Sequence, residues 1–192
     1  MKKIIVFSIL LIVIPACRTS KNVASDPQDP VQVIDIEQQS QTDEPIDFHN
    51  PATWLLGHFS GAMLRQQPHS TWFMQEYDNY MPSTEIVNKL LEVPAEGLSV
   101  KIVMGTWCPD SRREVPRLLR ILDMINFPSE KITYIGVDDN KNSPAGDTSA
   151  LKIERVPTII LYKNNVEAGR IIEIPETSLE QDMLNILTGM DK

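Results

Sequence analysis

The chain has 192 residues and a formal net charge of −8, and apolar residue types make up 42% of it. That apolar share is typical of a folded globular protein and argues against a largely disordered chain. The acidic balance argues against nucleic-acid binding, because clustered lysines and arginines hold a phosphate backbone. The sequence contains no glycine-rich phosphate loop, and we expect no cofactor.

The first predicted element is a signal peptide over residues 1–16. Two lysines precede an apolar run of about ten residues, which suits a signal-peptide core and is too short to span a bilayer. The run ends in "IPAC", which resembles the lipobox of bacterial lipoproteins. The resemblance implies cleavage before Cys17 and attachment of lipid to its sulfur. The alternative is an ordinary secretory leader in which Cys17 has no role.

Lipidation at Cys17 implies a location in the bacterial cell envelope, with a membrane as partner through the lipid anchor. The protein would face the periplasm. Arg18, not an aspartate, follows the cysteine. The common sorting pattern then favours the outer membrane over the inner one.

Residues 17–49 are predicted to form a disordered acidic tether. They are rich in Ser, Gln, Asp and Pro, and such a composition buries too little apolar surface to offset the entropy of ordering. We therefore expect one folded domain over residues 50–192.

The folded domain is predicted to begin with helices. Apolar residues recur there at helical spacing in three stretches. The stretches are Leu55, Phe59 and Met63; Phe73, Tyr77 and Tyr80; and Ile86, Val87, Leu90 and Leu91. We expect the aromatic stripe to pack on the following sheet, although it could also form a groove for a partner.

Strands and helices alternate over the rest of the chain. The predicted strands are 98–106, 131–138, 158–163 and 167–174; a helix follows the first strand as far as about residue 126, and a capping box, Thr177-x-x-Glu180, opens the closing helix. A strand–helix–strand unit implies parallel pairing, and the "NN" between the last two strands indicates an antiparallel hairpin. The expected fold is α/β, with a central mixed β-sheet flanked by helices and an N-terminal helical extension.

A short motif then suggests a family. A buried strand that ends in Trp107-Cys108, with a helix starting at the cysteine, resembles the active site of the thioredoxin superfamily. Pro116 lies eight residues after Cys108 and matches the proline that kinks that helix. "RVPT" matches a loop of the family, in which the proline is cis and faces the active cysteine. Pro157 occupies that position here. The resemblance covers roughly residues 84–192 and implies a thioredoxin-like fold.

The motif "TWCPDS" resembles a subgroup with C-x-D-S in place of C-x-x-C, because Ser111 stands where a resolving cysteine would be. If Cys17 carries lipid, Cys108 is the one remaining thiol and no internal disulfide can form. The helix N-terminus, the Ser111 hydroxyl and two arginines, 112 and 113, favour the reactive thiolate. Asp110 opposes it unless its charge is used elsewhere.

The resemblance assigns roles to the residues around the thiol. Cys108 would be the nucleophile, and Ser111 would assist it by donating a hydrogen bond to the sulfur. The implied substrate-binding residues are Trp107, Pro109, Asp110, Val156 and Pro157.

Two functions are compatible with this site. One is thiol–disulfide exchange by a lone reactive cysteine, of a mixed-disulfide, reductase or isomerase type, with cysteine-containing envelope proteins or small thiols. The other is a redox-inactive thioredoxin-fold module for binding or assembly. The three histidines, at positions 49, 58 and 69, are spaced by nine and eleven residues, which puts no pair on one helix face. We therefore predict no metal site.

The lipobox resemblance generates the first prediction. The wild-type protein should take up labelled palmitate and fractionate with membranes, and Cys17→Ala should do neither, because the acyl chains are its anchor. Globomycin should stop maturation of the wild type. An unlabelled wild type together with a membrane-bound Cys17→Ala protein would show that lipidation is wrong.

Overall fold

The structure, a computed structural model, describes residues 46–146 and 148–189. The predicted signal peptide, Cys17 and most of the predicted tether lie outside the described residues.

Five strands and five α-helices lie within the described residues. In chain order they are β1 (Gly57–Phe59), α1 (Ser70–Asn79), α2 (Thr84–Leu91), β2 (Leu98–Met104), α3 (Pro109–Met124), β3 (Ile132–Gly136), α4 (Thr148–Leu151), β4 (Thr158–Lys163), β5 (Val166–Ile172) and α5 (Leu179–Thr188). Short 3-10 turns occupy Pro51–Thr53, Gly61–Arg65 and Ser129–Lys131. The expected order from α1 onwards is confirmed.

The strands form one mixed five-stranded sheet in the order β1-β3-β2-β4-β5. The β2–β3 pair is parallel, and the other three pairs are antiparallel. In the centre, Ile102 of β2 lies between Tyr134 of β3 and Ile159 of β4. The central mixed sheet flanked by helices was therefore predicted correctly.

The alternation of side chains along β2 divides the core between the two faces of the sheet. Ile102 and Met104 belong to the larger cluster, which includes apolar residues of α1, α3 and α5. Val103 points to the other face and joins a smaller cluster with Cys108 and Val156. The thiol therefore sits in an apolar environment of its own.

One predicted helix is wrong. The stretch containing Leu55, Phe59 and Met63 contains the edge strand β1, which pairs antiparallel with β3. Gly57 adopts a φ of +76°, in the left-handed region that glycine tolerates without penalty. Phe59 packs on Tyr134 of the neighbouring strand, with ring centroids 5.5 Å apart.

The start of the closing helix is displaced by one residue from the prediction. Ser178, not Thr177, is the N-cap of α5, and its hydroxyl accepts a hydrogen bond from the Gln181 N–H. Glu180 points away to accept hydrogen bonds from the Tyr80 hydroxyl at 2.6 Å and the Ser83 N–H at 3.0 Å. Glu180 therefore joins α5 to the connection between α1 and α2.

A close backbone approach at Gly136 generates the second prediction. A Cβ there would lie 1.9 Å from the carbonyl oxygen of Leu55. Because the obstacle is backbone, Gly136→Ala should lower the free energy of unfolding by about 1–3 kcal/mol, measured by urea denaturation. Gly146→Ala is the control: unlike Gly136, Gly146 has a positive φ, but open space surrounds it, so the substitution should cost about 1 kcal/mol at most. Equal stability of Gly136→Ala and wild type would contradict the packing.

Candidate active site

Cys108 occupies the turn between the central strand and the longest helix. It is the N-cap residue of α3, with Pro109 at the first helical position, where a missing N–H costs nothing. The side chain lies in the smaller apolar cluster, and the residue is only 6% exposed. Pro116 lies inside the same helix and is buried. The predicted strand–cysteine–helix arrangement is present, but the thiol is more covered than an exposed nucleophile would be.

The loop before β4 faces the thiol. The Val156–Pro157 peptide bond is cis, and both residues are buried. The Cys108 sulfur donates a hydrogen bond to the Val156 carbonyl oxygen at 3.2 Å. On the far side of the proline, its carbonyl accepts a hydrogen bond from the Glu173 N–H at 2.7 Å. The structure therefore brings Cys108, Val156 and Pro157 together, although they are far apart in sequence.

Ser111 is placed differently from the expectation. It is fully buried, and its hydroxyl oxygen accepts a hydrogen bond from the Gly105 N–H at 3.3 Å. Among the described residues, no hydrogen bond joins Ser111 to Cys108. The residue stabilises the turn that carries the thiol, and the predicted contact with the sulfur is corrected accordingly.

The two arginines next to the thiol differ in their surroundings. Arg113 is paired with Asp110 and Glu114, and Glu114 also lies 3.7 Å from Arg117, so the Asp110 charge is used in an ion pair. Burial alone would lower the pKa of Arg113, but these two carboxylates outweigh it and raise that pKa.

Arg112 is the remaining cation near the sulfur. One guanidinium nitrogen donates to the carbonyls of Thr106 and Trp107, at 3.3 and 3.2 Å. Burial lowers the pKa of Arg112, and the charge of a Cys108 thiolate raises it in part. The guanidinium is therefore held at the turn that carries the thiol.

Residues 46–56, called here the N-terminal arm, lie against the turn that carries Cys108. Trp54 packs on Trp107 with ring centroids 6.1 Å apart, and the Leu55 N–H donates to the Thr106 hydroxyl at 3.2 Å. The indole N–H of Trp107 donates to the Val137 carbonyl at 3.0 Å. Trp107 is thus held on both sides and half-buried, while Pro109 remains exposed beside the thiol.

Phe48 is a site residue that the sequence did not reveal, because composition assigned it to the tether. Its ring stacks on the Arg112 guanidinium, 4.6 Å from the carbon of that group. A large aromatic residue within a polar stretch is the one signal that could have identified it.

His69 lies behind Phe48. It is 2% exposed, and its ring packs against Phe48 and Trp72 at centroid distances of 6.0 and 5.8 Å. Burial lowers the pKa of His69, and the nearby Arg112 charge lowers it further. The imidazole is therefore neutral at neutral pH.

The remaining features lie away from the thiol. An apolar cavity of about 230 Å³ lies at the opposite end of β2, next to Leu98 and Ile125. Within residues 46–146 and 148–189, no three His, Cys, Asp or Glu side chains group as a metal site. Over the same ranges, no helix has the length and apolar character needed to cross a membrane.

Comparison with known proteins yields structural similarity only. No protein-family model matches the sequence, and no curated protein does. A protein of unknown function from Pseudomonas aeruginosa aligns over 64% of this chain and 81% of its own, with 15% identity and a TM-score of 0.43. Thioredoxin O2 from Arabidopsis thaliana aligns over 56% and 88%, with 19% identity and a TM-score of 0.35. Thioredoxin from Fasciola hepatica aligns over 54% and 89%, with 21% identity and a TM-score of 0.34.

The strand order, the helices on both faces and the cis-proline loop opposite a helix-capping cysteine define the class. The protein has a thioredoxin-like fold, extended at its N-terminus by the arm and by α1.

The buried histidine generates the third prediction. A histidine whose folded-state pKa is lowered binds a proton more readily in the unfolded chain, so stability falls as pH drops below about 6.5. His69→Phe should remove up to about 1 kcal/mol of the loss in unfolding free energy between pH 8 and pH 5.5. Urea denaturation at the two pH values measures it.

The exposed His49 supplies the control for this measurement. His49→Phe should keep the wild-type difference between the two pH values. A His69→Phe protein with that same difference would show that His69 does not carry it.

Proposed function

We propose that the protein is a thioredoxin-fold protein of the bacterial envelope that uses Cys108 for thiol–disulfide exchange with cysteine-containing proteins or small thiols. The hydrogen bond from the Cys108 sulfur to the Val156 carbonyl is the observation that carries the proposal. The thiol lies directly against the cis-proline loop, which the family resemblance implies would hold a substrate chain. Lipid at Cys17 and the segment that follows it would hold the domain at the membrane, facing the periplasm.

The chemistry proceeds in two exchange steps. The Cys108 thiolate attacks one sulfur of a disulfide R–S–S–R′, forming Cys108–S–S–R while R′–S⁻ leaves with the electron pair of the broken bond. A second thiolate, from the substrate or from a small thiol, then attacks the sulfur of R and releases Cys108 as thiolate. Ser111 cannot perform this second step, so the resolving thiol comes from outside the chain.

The residues around the sulfur supply what the first step needs. The helix N-terminus and Arg112 provide positive potential for the thiolate. Once the thiol proton has gone to solvent, the Val156 carbonyl loses its donor and can accept a hydrogen bond from a substrate N–H. Pro109 and Trp107 offer apolar surface beside it.

A second function is favoured by one observation, the low exposure of Cys108. A thiol that is covered in the resting state fits a binding or assembly module without redox chemistry. The fold alone does not decide between the two, because function depends on the site.

Trapping of mixed disulfides gives the fourth prediction. Cells are quenched in acid and blocked with N-ethylmaleimide, and the protein is run without reducing agent. The wild type should show adducts that dithiothreitol releases, because no internal thiol resolves them. Cys108→Ala should show none.

Ser111→Cys is the matched variant. A thiol one helical turn from Cys108 could resolve the adduct internally, so the adducts should decrease and an internal disulfide should appear. Equal adducts from wild type and Cys108→Ala, or none from either, would favour the binding module.

A further inference from the structure

We propose that Phe48 is a positioning residue for the thiol: it holds the Arg112 guanidinium at the N-terminal end of α3, where the positive charge stabilises the Cys108 thiolate. The inference rests on the proposed thiol chemistry and concerns how the same site is controlled. It assigns a functional role to a residue of the N-terminal arm, which precedes the thioredoxin-like part of the chain.

Arg112 is the cation that the site leaves unmatched. Arg113 is paired with two carboxylates, whereas no carboxylate of the described residues pairs with Arg112. A guanidinium has five N–H donors in a planar fork, and two backbone carbonyls at the active-site turn occupy one nitrogen. Its charge is therefore available to the sulfur, provided that the side chain stays in place.

Phe48 covers the other side of that guanidinium. The ring lies 4.6 Å from the central guanidinium carbon, a geometry in which the negative face of the ring attracts the cation. Without the ring, nothing else among the described residues stacks on this group, and a long flexible side chain would regain its rotamer freedom.

Phe48 is itself held from several directions. His69 packs on it, and Trp72 meets it edge-on with ring centroids 6.5 Å apart. The Trp54 indole donates to the Phe48 carbonyl at 2.8 Å. The ring therefore has a defined position, which a positioning role requires.

The direction of the effect follows from electrostatics. A fixed positive charge near the sulfur favours the thiolate over the thiol. Loss of the stack lets the guanidinium move into water, where the Coulomb attraction is weaker. The thiol would then ionise at higher pH, and its reaction at neutral pH would slow.

The test, our fifth prediction, is the rate of Cys108 alkylation by iodoacetamide between pH 5 and pH 9.5, followed on the full chain by peptide mass spectrometry. Phe48→Leu keeps an apolar side chain of similar size but no ring. It should move the midpoint of the pH–rate profile upwards and slow labelling below the midpoint by roughly two- to fivefold. Phe48→Tyr keeps the ring and should retain the wild-type profile.

Two further variants complete the design. Arg112→Lys keeps the charge without the planar fork and should shift the midpoint in the same direction as Phe48→Leu. Phe59→Leu removes an aromatic ring from β1, away from the thiol, and should leave the profile unchanged. Urea midpoints for every variant separate an effect on the thiol from unfolding.

The outcomes are distinct from those of the trapping experiment. A Phe48→Leu profile that superimposes on the wild type, or a wild-type thiol that shows no titration, overturns the positioning role. Shifted alkylation without trapped adducts would support that role and count against the proposed exchange reaction. Trapped adducts with unshifted alkylation would do the reverse.

Discussion

Arginine side chains of α3 stacked on aromatic rings are the contacts on which the site depends. Arg112 lies on Phe48, Arg117 lies 5.4 Å from the Tyr80 ring, and Arg120 lies 5.3 Å from the Tyr77 ring. A guanidinium is weakly hydrated and planar, so it can cover an apolar ring and still donate hydrogen bonds at its edge. The aromatic residues that precede α3 in the chain therefore pack against the helix that carries the thiol.

The burial of the thiol and its proposed reactivity are compatible. Cys108 is nearly covered by its own cluster and by the cis-proline loop, whereas Pro109 next to it is exposed. A substrate sulfur needs access to one atom along one direction, while the remainder of the cysteine can stay packed. The apolar cover limits water at the sulfur, and in the proposed exchange Arg112 and the helix N-terminus would supply the polar stabilisation in its place.

Much of the sheet could be predicted from the sequence, because local patterns determine it. The central strands β2 and β4 are short runs rich in β-branched residues, and their extensive burial follows from that composition. The position of Cys108 opposite Pro157 came from a family resemblance and not from spacing. β1 was missed because Leu55, Phe59 and Met63 imitate helical spacing, while its pairing with β3 is a long-range contact.

The site was less predictable for the same physical reason. Ser111 was expected at the sulfur because the two are one turn apart, yet among the described residues its hydroxyl bonds to the Gly105 N–H and not to Cys108. Phe48 was invisible because a single ring in a polar stretch gives no periodic signal, and its partner Arg112 is far along the chain. Such contacts depend on tertiary packing, which outweighs local preference.

The hydrogen bond at the Val156 carbonyl has a consequence for which substrates the proposed site could select. One acceptor serves the resting thiol and, in the proposed exchange, the backbone of an incoming chain. If the N–H of an incoming chain replaces the S–H at this oxygen, docking and ionisation would be thermodynamically linked, and each would promote the other by the same factor. A small disulfide without a peptide N–H would gain nothing from this linkage. In the proposed exchange, the carbonyl would therefore favour disulfides that arrive within an extended polypeptide.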